Sequence, residues 1–122
     1  MPLIKLQTPL QPEPAAVEEL LKSLSAALAK QVSKPEAYVM TAFEGGIPMT
    51  FGGSADPCCY ADPCCYVEIK SVGQFSAEQT RAMSEFFCSA IEAALGIPKK
   101  RIFIEFTEAK GYLWGWNGTT FG

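Results

Sequence analysis

Two stretches of helical periodicity, each entered from an apolar strand and each left through a proline-bearing turn, constrain this chain more than any other feature. From Pro14 onward, Val17, Leu20, Leu21, Leu24 and Leu28 recur at three- and four-residue spacing and make one apolar stripe. Pro14 suits the first turn, Glu18 and Glu19 favour the helix start, and the helix should stop before Lys34-Pro35. The second stretch opens on Ser76-Ala77-Glu78-Gln79, a capping box. Met83, Phe86, Phe87, Ala90, Ile91 and Ala94 form its stripe, and Gly96 with Pro98 just beyond ends it.

Four segments read as strands. Leu3–Gln7 is apolar and β-prone, and Pro9 and Pro12 turn the next residues into a loop. Tyr38–Glu44 is rich in β-branched and aromatic residues, and Tyr66–Val72 puts Val67, Ile69 and Ser71 on one side. Arg101–Thr107 is the fourth, and Tyr112–Phe121 is a short aromatic tail with an Asn117-Gly118 turn signal. The order β-α-β-β-α-β predicts an α+β fold, with both helices on one face of a mixed sheet, in a single domain over residues 1–122. The other face then has to be covered. Ile4, Leu6, Val39, Thr41, Phe43, Phe103 and Ile104 are read as too many apolar residues for the helix side alone, which predicts self-association.

Composition closes off several functions. Charged residues make up 19% of the chain and the net charge is −3, without the basic face of a nucleic-acid binder. Lys99-Lys100-Arg101 reads as a solvated turn. No basic-then-apolar leader opens the chain and no apolar run spans a membrane, so a cytoplasmic location is expected. Histidine is absent, which removes His-based dyads and triads and the usual zinc and iron ligand sets.

Ala55-Asp56-Pro57-Cys58-Cys59-Tyr60 recurs at once as Ala61-Asp62-Pro63-Cys64-Cys65-Tyr66. The proline in each copy disfavours central strand pairing. The first copy is expected in a bulging loop and the second at the entry to the third strand. The cysteines stand as adjacent pairs rather than C-x-x-C knuckles, which argues against a metal site. Consecutive Cα atoms lie about 3.8 Å apart, below the usual disulfide range. With Cys88 the count is odd, and reduced thiols are the expectation.

Taken alone, Pro2 reads as an ordinary second residue, and with Met1 removed it becomes a candidate general base. Inside a chain its nitrogen is an amide, but once Met1 is removed it becomes a secondary amine at the start of a strand. Held in an apolar pocket, such an amine is disfavoured in its charged form, so its pKa falls toward neutral pH. It can then take a proton from a carbon beside a carbonyl and return one elsewhere. A nearby cation would depress it further; Lys34, before Pro35, reads by itself as a solvated helix-end lysine.

The pieces resemble the macrophage migration inhibitory factor family of the tautomerase superfamily. They are the Met-Pro start, Lys34-Pro35-Glu36-Ala37-Tyr38-Val39, Pro48-Met49-Thr50-Phe51-Gly52-Gly53-Ser54, Ser71-Val72-Gly73, Gly96-Ile97-Pro98 with Arg101-Ile102-Phe103-Ile104, and Gly115-Trp116-Asn117-Gly118-Thr119-Thr120-Phe121. The resemblance implies a homotrimer with active sites at subunit interfaces. It implies cofactor-free keto–enol tautomerisation of small α-keto acids such as phenylpyruvate, with Pro2 as general acid/base. Lys34 would contact the substrate carboxylate, Val72 would offer its backbone N–H with Ser71 before it, and Tyr38, Trp116 and Phe103 would line the pocket. It also implies an alternative, a cytokine-like ligand that leaves the cell by a non-classical route, binds a receptor and keeps only weak turnover. Phe103 stands where tyrosine is usual and Glu105 where asparagine is familiar. The family's Cys-x-x-Cys is missing, and the hexapeptide duplication has no counterpart in the pattern.

Overall fold

The computed structural model describes residues 1–53 and 63–122. The first hexapeptide copy, with Ala61 and Asp62, lies outside the described residues, and so does the loop expected for it. Strand β1 (Leu3–Gln7) is followed by α1 (Pro14–Val32), β2 (Met40–Glu44), β3 (Cys65–Val72), α2 (Ala77–Leu95), β4 (Ile102–Ala109) and a small hairpin of β5 (Gly115–Trp116) and β6 (Thr119–Thr120). The main sheet has the order β2-β1-β3-β4. β1 runs parallel to β2 and antiparallel to β3, and β3 runs parallel to β4, so the sheet is mixed. This is the α+β architecture expected from the two helical stripes.

Both helices end on local signals. Pro14 occupies the first turn of α1, and Ser33 closes it in the left-handed region at φ 55°. Helix α1 has no acidic residue in its first turn. Glu18 and Glu19 fall a turn later than the sequence reading assumed, where Glu18 pairs with Lys22 at 3.2 Å. In α2, Ser76 Oγ accepts from the Gln79 N–H while Gln79 Oε1 accepts from the Ser76 N–H, completing the capping box. Gly96 ends the helix at φ 71°. The second strand starts later than expected because Glu36–Tyr38 form a 3-10 turn.

The core lies between the helices and one sheet face. Ile4 and Leu6 of β1, Cys65, Val67 and Ile69 of β3, Leu20, Leu24 and Leu28 of α1, and Met83, Phe87 and Ile91 of α2 pack together there. Val39, Phe43, Ile104 and Phe106 pack against them. This corrects the outward assignment of Ile4, Leu6, Val39, Thr41, Phe43 and Ile104. The β1–β2 register sets Ile4 beside Thr41 and Leu6 beside Phe43, so all four point to the helices. Of the apolar residues assigned to an uncovered face, Phe103 alone points away, and it is 64% exposed.

The open face is mixed: Met40 and Phe103 are exposed on it beside charged and amide side chains. Lys5 pairs with Glu44 at 3.2 Å and Lys70 with Glu68 at 3.7 Å, and Gln7 donates to Glu44. Neighbouring aromatic rings α2 presents on consecutive positions show how sharply depth decides cost: Phe87 is fully buried and Phe86 is 43% exposed. Phe87→Ala should lower stability by roughly 3–5 kcal/mol and Phe86→Ala by about 1 kcal/mol or less, read as the difference between urea midpoints.

Candidate functional site

The end of the sheet where β1 begins gathers most of the residues singled out in the sequence. Pro2 is fully buried, and its carbonyl accepts the Met40 N–H at 3.0 Å. One step beyond the β1–β3 ladder, in which Leu3 faces Lys70, Pro2 comes opposite Ser71. Met1 precedes it in this structure, so the Pro2 nitrogen is an amide here and the free amine belongs to Met1. That amine donates to the Tyr38 carbonyl at 2.6 Å. Burial, and after it the Lys34 charge, hold it below its ordinary value.

A cavity of about 150 Å³ opens beside this strand end. Lys34, Ser71 and Val72 line it, together with Gly73, Phe75 and Gln79. Lys34 arrives there because α1 terminates just before it: the left-handed Ser33 turns the chain, and the Lys34 N–H returns to the Ala29 carbonyl at 3.0 Å. Ser71 is buried, and its hydroxyl donates to the Val72 carbonyl, so it serves the wall more than the space. Gln79 was legible in the sequence only as a cap. Its Nε2 also donates to the Gln31 carbonyl at 3.1 Å, tying the start of α2 to the end of α1.

Aromatic rings stand at the other side of the strand end. Tyr38 meets Trp116 edge-on at 5.4 Å between ring centroids, and Trp116 stacks on Phe121 at 5.9 Å. The β5–β6 hairpin presents Trp116, with Asn117 and Gly118 both at positive φ in the turn. These rings hold an apolar, half-exposed surface beside the Met1–Tyr38 contact.

Phe103 does not join this cluster within one chain. It sits on the opposite sheet face and pairs in register with Tyr66, six positions along β3 from Val72, or about 20 Å of extended strand. There it packs on Phe51 at 4.9 Å, and the Arg101 guanidinium lies 4.8 Å from the centre of the Phe51 ring. Glu105 is on the same outer face, where it accepts the Tyr66 hydroxyl at 3.0 Å and the Thr107 hydroxyl at 3.3 Å.

A larger groove of about 750 Å³ runs between α1 and β2, lined by residues such as Val17, Leu21, Thr41 and Phe43. It carries none of the residues expected to do chemistry. Cys64, Cys65 and Cys88 are free thiols. Burial, with smaller contributions from Cys64 and Cys88, pushes the Cys65 thiol up to about 12, and burial also raises Cys88. Both groups stay protonated at neutral pH, and the thiolate is the nucleophile, so neither is poised for thiol chemistry.

With this geometry in view, comparison with known proteins gives one answer. The sequence pattern described as macrophage migration inhibitory factor (MIF) matches residues 1–122. The chain belongs to the macrophage migration inhibitory factor family. Its relatives include a macrophage migration inhibitory factor homolog of Brugia malayi, 34% identical over 122 residues and covering all of both chains. Among solved structures, the homologue from Prochlorococcus marinus superposes with a TM-score of 0.88 at 45% identity, covering 98% of this chain and 99% of that one. The family protein of Trichinella spiralis superposes at 0.83 with 31% identity, over 98% and 99%. The macrophage migration inhibitory factor fold therefore extends over nearly the whole chain, strand end and hairpin included.

Burial and the bond to Glu105 raise the Tyr66 hydroxyl from an ordinary value of 10.0 to about 12. Glu105→Gln removes a charged acceptor and should bring Tyr66 back toward its ordinary range. Difference absorbance at the tyrosinate band against pH reads this shift directly, and an unmoved highest step would exclude the bond.

Proposed function

We propose that this chain is a cofactor-free keto–enol tautomerase of small α-keto acids such as phenylpyruvate, using Pro2 as general acid/base after Met1 is removed. One observation carries the reading. The chain's first residues are packed into the end of the sheet, where burial and Lys34 disfavour a charged terminal amine. Shortening the chain by Met1 transfers the amine to Pro2, one residue further into that environment.

In this reading the neutral amine removes a proton from the carbon beside the substrate ketone. Lys34 holds the substrate carboxylate as a point charge. The ammonium formed on Pro2 then returns a proton elsewhere on the enol, so the base is regenerated. Tyr38 and Trp116 take the apolar body of the substrate. The family supports an oligomer, and a homotrimer would allow a neighbouring chain to bring Phe103 to the site, which one chain alone does not.

The second reading, a cytokine-like binding protein with weak turnover, is favoured by one feature. Phe103 lacks a hydroxyl, so any interaction that a phenol would make with substrate is missing. Phenylpyruvate turnover by the Met1-processed chain separates the two. Under the tautomerase reading Pro2→Ala loses at least about two orders of magnitude in kcat/KM, the usual contribution of a positioned base. Equal turnover in parent and variant would exclude Pro2 as the base, and absence of turnover in both would leave the binding reading.

Lys34→Ala should act in two ways. Loss of the charged contact raises KM about tenfold or more. Loss of its charge also lets the amine pKa rise, so the acidic limb of kcat/KM against pH moves to higher pH. An unmoved limb would mean that Lys34 does not act on the base.

A further inference from the structure

The cavity lined by Lys34, Ser71 and Val72 has three walls, and two are tied down by the helices. Lys34 is held through the closing turn of α1, and Gln79 is bonded to both Ser76 and Gln31. The third wall is the stretch from Val72 to Phe75, which leaves β3 and reaches α2 without regular structure of its own. Gly73 turns the chain there at φ 111°, a conformation that side-chain-bearing residues rarely adopt. Such a wall keeps its shape only through the bonds made to it.

β4 supplies those bonds. The Gly73 N–H donates to the Ala109 carbonyl at 3.0 Å. The Phe75 N–H donates to Glu108 Oε2 at 2.6 Å, at the short end for an amide bonded to a carboxylate. The Phe75 ring meets Phe106 edge-on at 5.7 Å. Glu108 pairs in register with Ser71, so its backbone is fixed within the ladder that also fixes the cavity floor. Glu108 itself does not line the cavity.

Resting on the reading that this cavity takes the substrate carboxylate, we propose that Glu108 is a positioning residue for substrate. Its carboxylate clamps the Phe75 amide and so holds the Val72–Phe75 wall in register with Lys34. It has no part in the proton transfer. Its loss therefore loosens binding and leaves the chemical step alone.

The test uses the full Met1-processed chain with Glu108→Ala and Glu108→Gln. The probe is phenylacetate, an aryl carboxylate without a ketone to tautomerise, titrated while the Val72, Gly73 and Phe75 amides are followed by NMR. Glu108→Ala should weaken phenylacetate binding about three- to tenfold, the worth of one such hydrogen bond. It should raise the KM for phenylpyruvate in the same ratio, leave kcat within about twofold, and speed hydrogen exchange at Phe75. Glu108→Gln keeps an acceptor oxygen and should restore all of these to near the parent values. Should Glu108→Ala not fold, Glu108→Asp withdraws the carboxylate by one methylene and carries the same expectation. Unchanged affinity and exchange in Glu108→Ala, a Gln variant as impaired as Ala, or a parent that does not bind phenylacetate at millimolar concentration would each overturn the proposal. A parent that binds phenylacetate yet does not turn over phenylpyruvate would sink the tautomerase reading, while the affinities would still decide the role of Glu108.

Discussion

Burial of one side of the first strand is the constraint on which the rest of this structure depends. β1 lies inside the sheet, paired on both sides by β2 and β3. Its even-numbered side chains, Pro2, Ile4, Leu6 and Thr8, all point to the helices and are buried. Thr8 is the polar member of that row, and its hydroxyl is satisfied by the Cys64 carbonyl at 2.7 Å. Most chain termini fray because nothing holds them. This one is held by a ladder on each side and a core beneath, so its first atoms have fixed surroundings. A terminal amine placed there is a group on a rigid element, with its protonation set by the protein rather than by bulk water.

The electrostatics follow from the same arrangement. The helix stripe of α1 sets where that helix packs, and its left-handed close at Ser33 sets where Lys34 falls, beside the strand end. The amine's low basicity therefore has two sources, the core under β1 and the end of α1, and burial is the larger. The buried thiols point the opposite way. The burial that favours a neutral amine also favours neutral, unreactive thiols in Cys65 and Cys88. The same physical effect, burial, therefore keeps a terminal amine and the thiols in their uncharged forms.

The sequence carried the helices almost completely, because their stripes and stop signals are local: Pro14, the Ser76–Gln79 box and Gly96 act within a few residues of themselves. The Lys34–Val72 neighbourhood was reachable only through family resemblance, since no periodicity links residues so far apart. The sheet face was misread for a simple reason. Ile4, Leu6, Thr41 and Phe43 share a face once the β1–β2 register is known, and register is a tertiary property that composition does not contain. The separation of Phe103 from the Lys34 cavity was equally hidden, because it depends on which end of β3 each residue meets. The Glu108–Phe75 and Gln79–Gln31 bonds join residues 33 and 48 positions apart and leave no local trace.

The central claim is that the buried strand end and Lys34 keep the terminal amine neutral enough to act as a base. A 15N NMR titration of proline-labelled, Met1-processed protein measures that amine directly, with the unfolded peptide Pro-Leu-Ile-Lys-Leu as reference. The account predicts a Pro2 titration midpoint well below that of the peptide, rising toward it in Lys34→Ala. A midpoint equal to or above the peptide value would contradict it, because the folded chain would then hold no more of the amine neutral at neutral pH than the free peptide does.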